Sequence, residues 1–126
     1  MSSTILVVDD DESIRELLRL HLSSAGYAVQ VAEDAIAAGY LVLRSPPDLI
    51  ISDVNMPHMD GFEFVAALKA DKSLPSIPVI FLTSEQGLEQ VAKEFGAVGF
   101  VPKPIRADQL LSIVAANVPG GLHPLG

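Results

Sequence analysis

The strongest constraint on this chain is a rhythm: five short apolar runs of strand length alternate with segments whose apolar residues recur at helical spacing. Residues 5–8 are a continuous apolar run, followed at once by Asp9, Asp10 and Asp11. From Ile14 the spacing turns helical. Ile14, Leu17, Leu18, His21, Leu22 and Ala25 share one face, and Gly26 stands where a helix would stop. Ser13 and Glu16 have capping-box spacing at the start of that helix. Residues 27–32 read as a second strand and 34–44 as a weaker helix. Pro46 and Pro47 then break the chain before a third strand at 49–52. Gly61 opens a third helix with Phe64, Val65 and Leu68 inward, closing near Asp71. Residues 79–82 form a fourth strand, and Leu88, Val91, Ala92 and Phe95 line a fourth helix that stops at Gly96. A short fifth strand at 99–101 leads to a fifth helix bearing Leu110, Leu111, Val114 and Val118.

Regular alternation of strand and helix predicts an α/β fold, a parallel sheet with helices on both faces. The first, third and fourth strands are nearly continuous apolar runs, as central strands covered on both sides should be. Gln30 interrupts the second strand, and Pro102, which cannot donate to a ladder, ends the fifth. Those two strands belong at the edges. A doubly wound, flavodoxin-like (βα)5 sheet of order 2-1-3-4-5 meets this requirement with right-handed crossovers. A chain of 126 residues has room for one such domain. It is expected over residues 4–118, with 119–126, which hold three glycines and two prolines, as a flexible tail or linker stub.

Composition narrows the function. With 16 acidic against 8 basic side chains the net charge is −8, so the basic footprint that direct nucleic-acid binding requires is missing. An apolar share of 49% excludes a disordered acidic tail. The absence of cysteine excludes disulfides and thiolate metal sites. No apolar run has the roughly 18 residues of a membrane span, and the opening residues show no basic segment followed by an apolar stretch. Neither a leader nor membrane association is expected, and the expected location is cytoplasmic.

In a doubly wound sheet, ligands bind outside the carboxyl ends of the strands, at the switch point of the winding. Asp9 and Asp10 follow the first strand, Asp53 ends the third, Thr83 follows the fourth and Lys103 the fifth. Three gathered carboxylates repel by roughly 4 kcal/mol per pair at about 4 Å and an effective dielectric near 20. Either one acid is neutralised by a raised pKa or a cation binds. Oxygen-only ligands select a hard ion, and Mg²⁺ or Mn²⁺ fits. Lys103 then suits a phosphoryl group as a point charge, Thr83 as a hydrogen-bond donor, and an ionised Asp can act as nucleophile. Some neighbours have simpler explanations. Asp11 reads as a solvated helix N-terminus, and Thr83 also suits a helix N-cap. His21 reads as a packed histidine, and His58 and His123 as exposed loop residues. Asp60 with Gly61 starts the third helix.

These residues, in order, resemble the receiver domain of bacterial two-component response regulators, especially the single-domain chemotaxis type. The marks are Val7-Val8-Asp9-Asp10, the stretch from Asp53 through Asn55, Pro57 and Asp60 to Gly61, Leu82-Thr83-Ser84, and Lys103-Pro104. The resemblance implies that Asp53 accepts a phosphoryl group from a phosphohistidine. It implies Mg²⁺ held by Asp10 and Asp53 directly, by Asp9 through water and by the backbone carbonyl of Asn55. It further implies that Thr83 and Lys103 hold the phosphoryl oxygens and that the peptide before Pro104 is cis. Thr83 and Phe100 would be the switch, changing the face of the fourth helix, fifth strand and fifth helix. Phe100 stands where Tyr is common, so a reporting hydroxyl is missing, and Pro102 replaces an ordinary apolar residue. Asn55 and Glu85 occupy positions that tune the lifetime of the phosphoryl group. The implied partners are a sensor histidine kinase or histidine phosphotransfer protein and a downstream effector. The implied oligomeric state is a monomer or a phosphorylation-dependent dimer, with no turnover substrate of its own.

Three rival functions fit the sequence less well. A phosphohydrolase of the haloacid-dehalogenase type needs a second acid two residues after its nucleophile, where this chain has Asn55. A flavin-binding module of the same architecture wants a Ser/Thr/Gly-rich phosphate loop after the first strand, where residues 9–12 are all acidic. A receiver retained only as a docking scaffold has no use for the intact acid set.

Overall fold

A computed structural model of the chain describes residues 3–118. The expected tail at 119–126, with His123, lies outside the described residues. The elements run β1 (Thr4–Val8), α1 (Glu12–Ser24), β2 (Ala28–Ala32), α2 (Ala35–Arg44), β3 (Leu49–Asp53), α3 (Gly61–Ala70), β4 (Val79–Thr83), α4 (Glu89–Glu94), β5 (Gly99–Pro102) and α5 (Ala107–Asn117). All strand pairs are parallel, and the sheet order is β2-β1-β3-β4-β5. The edge strands are the two that carry Gln30 and Pro102, as their sequences require.

Side chains alternate across each strand, so β1 feeds two cores. Ile5 and Val7 join Leu18, Leu22, Leu110 and Val114 beneath α1 and α5. Leu6 and Val8 join Val42, Phe64, Val65 and Ala92 beneath α2, α3 and α4. β3 and β4 are buried along their whole length, which is why both read as nearly continuous apolar runs. Among the described residues, no helix is long and apolar enough to cross a membrane.

Local detail departs from expectation at several ends. The N-cap of α1 is Asp11, not Ser13. The Asp11 carboxylate accepts from both the backbone N–H and the hydroxyl of Ser13, and Glu16 pairs with Arg19 instead of completing a capping box. Leu17, expected inward, is 38% exposed, because the buried stripe of α1 is centred on Leu18 and Leu22. β2 begins one residue late, at Ala28, although Tyr27 is still buried. Leu88 and Phe95 flank a six-residue α4 instead of lying within it. Helix α4 therefore starts six residues beyond Thr83, so Thr83 is no helix N-cap; its hydroxyl oxygen accepts from the Glu85 N–H in a local turn at 3.0 Å. Val118, expected on the last helix, caps it in extended geometry. At α3 the expectation holds, and Asp60 and Glu63 form a complete capping box.

Candidate functional site

The register decides where the chemistry collects. Val8 lies beside Ser52, Asp53 beside Leu82, and Thr83 beside Pro102, so residues 9, 53, 83 and 103 leave the sheet at one edge. Asp9, Asp10 and Asp53 each bring a carboxylate oxygen to within 4.8 Å of the others. Asp9 is fully buried, Asp53 nearly so, and Asp10 exposed. The Lys103 ammonium lies 3.0 Å from Asp9 Oδ2 and 3.5 Å from Asp53 Oδ1. A backbone hydrogen bond of 2.8 Å from Lys103 N–H to Thr83 C=O holds the end of β5 against β4, and the Lys103–Pro104 peptide is cis.

Electrostatics follow from this crowding. Burial first, and then the Asp9 carboxylate, push Asp53 up to about 6; the nearby Lys103 and the Asn55 N–H pull the other way without winning. Burial alone would lower the Lys103 pKa, but hydrogen bonding and attraction from Asp9 and Asp53 outweigh it and hold the ammonium above the ordinary lysine value. Asp9 is fixed from two further sides: Oδ1 accepts from the Asp11 N–H at 2.9 Å, and the Arg15 guanidinium donates to its backbone carbonyl at 2.7 Å.

The remaining expected residues sit around this cluster. Thr83 is fully buried at the end of β4. Asn55 and Glu85, two residues past Asp53 and Thr83, are exposed at the rim. Phe100 is half-buried on β5, opposite Phe81 in the ladder, and packs against the core beneath α4. Sequence reasoning missed three supports of the site. Arg15 is one. Ser52 is another, its hydroxyl donating to the Asp53 carbonyl at 3.0 Å. The third is Gly61, read only as a helix opener, where an added Cβ would collide with the Asp53 carbonyl oxygen and stand 3.1 Å from Val54 Cα. The Asp9–Asp11 contact alone had a local signal, since an Asp side chain commonly bonds the N–H two residues on.

The donor set fits a hard divalent cation. It is all carboxylate oxygen, and the buried Asp9 Oδ2 has no well-aligned hydrogen bond in spite of the adjacent ammonium.

A family model for the response regulator receiver domain matches residues 5–115. The chain belongs to the response regulator receiver family. Receiver domains of this family work in two-component signalling, typically bind Mg²⁺ and are generally not turnover enzymes. Among curated relatives, response regulator MprA of Mycobacterium sp. (strain KMS) is 38% identical over 118 residues, covering 92% of this chain and 50% of its own length. MprA of Mycobacterium leprae is 39% identical over 114 residues, covering 89% and 49%. The receiver chain thus spans about half the length of the curated relatives it matches. Among solved structures, chemotaxis response regulator CheY4 of Vibrio cholerae superposes with a TM-score of 0.86 at 37% identity, covering 94% of this chain and 100% of its own. The signal receiver domain of a signal transduction histidine kinase from Syntrophus aciditrophicus gives 0.84 at 36% identity, covering 94% and 92%.

Proposed function

We propose that this receiver is a phosphorylation-controlled switch in which Asp53 accepts a phosphoryl group from the phosphohistidine of a sensor histidine kinase or histidine phosphotransfer protein. The observation that carries this reading is the convergence of Asp9, Asp10 and Asp53 within 4.8 Å, with Lys103 at 3.0 and 3.5 Å from two of them. An Asp53 carboxylate oxygen attacks phosphorus; the P–N bond to the donor imidazole breaks as the O–P bond forms, and the imidazole nitrogen keeps the electron pair. The product is an acyl phosphate. Water later attacks it, releasing inorganic phosphate and restoring the carboxylate. Lys103 offsets the negative charge of the phosphoryl oxygens, and the Thr83 hydroxyl donates to one of them.

Asp10 and Asp53, with the Asn55 backbone carbonyl, would hold Mg²⁺ or Mn²⁺ directly, and Asp9 through water. When bound, the ion supplies positive charge that lets an anionic donor approach three carboxylates. Thr83 and Phe100 would carry the change to the face of α4, β5 and α5, where an effector protein or domain docks, while Asn55 and Glu85 set the lifetime of the modification. The reading extends to a receiver domain over residues 4–118 followed by a tail, to a cytoplasmic location without nucleic-acid or membrane contact, to no separate turnover substrate, and, at the α4–β5–α5 face, to a monomer or a phosphorylation-dependent dimer.

Incubation with acetyl phosphate and Mg²⁺ should add one phosphoryl group, about 80 Da by intact mass, and the increase should be absent in Asp53→Asn. A wild-type chain that gains no mass with either acetyl phosphate or a cognate kinase would remove the proposal.

Metal binding has a separate readout. Because the ion binds only the folded site, Mg²⁺ at ten times its dissociation constant should stabilise the wild type by about 1.4 kcal/mol in thermal melts. Asp10→Ala should abolish that response. An unchanged response in the variant would exclude Asp10 as a ligand.

A further inference from the structure

Helix α2 presents an apolar stripe that none of the described residues covers. Ile36, Tyr40 and Leu43, at i, i+4 and i+7, are 60%, 68% and 61% exposed. Between Ala35 and Leu43 the helix has no charged residue at all. The stripe borders a groove of about 310 Å³ between α2 and α3, floored by Met59, Phe64 and Leu74. None of the residues lining the groove belongs to the phosphoryl site or to α4, β5 or α5. Contiguous exposed apolar surface of this kind marks a contact site.

We propose that the α2 face is a self-complementary interface between two copies of this chain, packed antiparallel about a two-fold axis near Gly39 and Tyr40. Three observations select a second copy as the occupant. The stripe is symmetric under chain reversal: with the axis between residues 39 and 40, Ile36 meets the partner copy's Leu43, and Tyr40 meets its Gly39. Gly39 is then accounted for. A Cβ there would touch none of the described residues, so local packing does not require glycine, which is also a poor residue for a helix interior. Its missing side chain leaves space for the opposing Tyr40 ring. The ends of the helix are also complementary. Glu33 and Asp34 sit at its start and Arg44 at its finish, all but Asp34 fully on the surface, and neither Glu33 nor Arg44 is paired among the described residues. Antiparallel packing brings each Arg44 to the partner copy's acidic end, and also aligns the helix dipoles favourably. A parallel arrangement, or an acidic partner surface, would lose that match.

Sedimentation of the full chain from about 10 µM to about 1 mM tests this. The wild-type mass should climb from 13.4 kDa toward twice that value. Tyr40→Glu and Leu43→Glu should stay at single-chain mass while melting normally and still taking up a phosphoryl group at Asp53. Arg44→Glu should weaken association about tenfold, and Glu33→Arg in the same chain should restore it. Because the chain lacks cysteine, Ile36→Cys with Leu43→Cys in one chain reads out the register directly, since these positions face each other across the proposed axis, and it should form a disulfide-linked dimer much faster than Ser112→Cys on α5. Single-chain mass throughout the range would overturn the proposal and leave the face to a different protein. So would a dimer that survives Tyr40→Glu, or equal cross-linking of the two cysteine variants.

Discussion

Asp53→Asn should make the folded chain more stable in metal-free buffer at pH 7.5, by on the order of 2–3 kcal/mol, even though it destroys the proposed acceptor. The Asp53 carboxyl is pushed from 3.8 up to about 6, first by burial and then by Asp9. Lys103 relieves this only in part, since its ammonium sits closer to Asp9 than to Asp53. A rise from 3.8 to about 6 corresponds to about 3 kcal/mol. The folded chain holds this proton at higher pH than the unfolded chain does. The stability linked to the group is therefore fully present below about pH 4, is lost as the pH rises through about 6, and is absent at neutral pH. Asparagine carries no charge to bury, so the variant should unfold at higher urea, and its advantage should shrink as the pH falls toward 4. Saturating Mg²⁺ should narrow the gap from the other direction by stabilising the wild type. A variant less stable than wild type at pH 7.5, or a difference constant between pH 4 and 8, would mean that Asp53 carries no such penalty.

Gly61→Ala should do the opposite and damage both stability and chemistry. The first residue of α3 lies against the backbone of β3: its N–H donates to the Val54 carbonyl at 2.8 Å, and its missing Cβ is what lets the Asp53 carbonyl approach. The atoms that would be struck are backbone, held beside β4 where Asp53 pairs with Leu82 and the Val54 N–H donates to the Leu82 carbonyl, so they cannot turn aside as a flexible side chain would. Overpacking of this kind costs about 1–3 kcal/mol. The relief, a shift of the β3–α3 junction, displaces the residue whose carboxylate must line up with Lys103. Urea melts should show the loss, and the rate of mass gain with acetyl phosphate should fall with it. Gly39→Ala is the internal control. In samples dilute enough to hold single chains its Cβ meets open space in a helix interior, and the substitution should stabilise by about 1 kcal/mol. A Gly61→Ala chain as stable and as reactive as wild type would show that the close approach is not required.

The two readings of charge in the site separate what is local from what is not. That Asp9, Asp10, Asp53, Thr83 and Lys103 would gather at one edge was legible in the sequence, because each follows an apolar run whose length and order define a strand end. Their unequal states were not. Asp9 is buried against Lys103 and Asp10 faces solvent, although they are adjacent and chemically identical. Successive residues leaving a strand point to opposite sides, and which side is interior depends on a helix and a strand far away in the chain. The misplaced cap of α1 has a similar cause. Asp11, Ser13 and Glu16 all suit a helix start, and the Asp9 carboxylate pulling on the Asp11 N–H helps settle which residue begins it.

Apolar periodicity, the positions of Gln30 and Pro102, and the acids that follow the strands determined the α/β class, the strand order and the edge where ligand chemistry collects, because each is a property of a short stretch of chain. Tertiary structure alone decided that Asp53 bears a raised pKa, that Gly61 must lack a side chain, and that the stripe of Ile36, Tyr40 and Leu43 stays uncovered. α2 is apolar on nearly every face, so its sequence has no preferred inside. Only packing on β1, β2 and α3 chooses which residues are buried and leaves the others exposed.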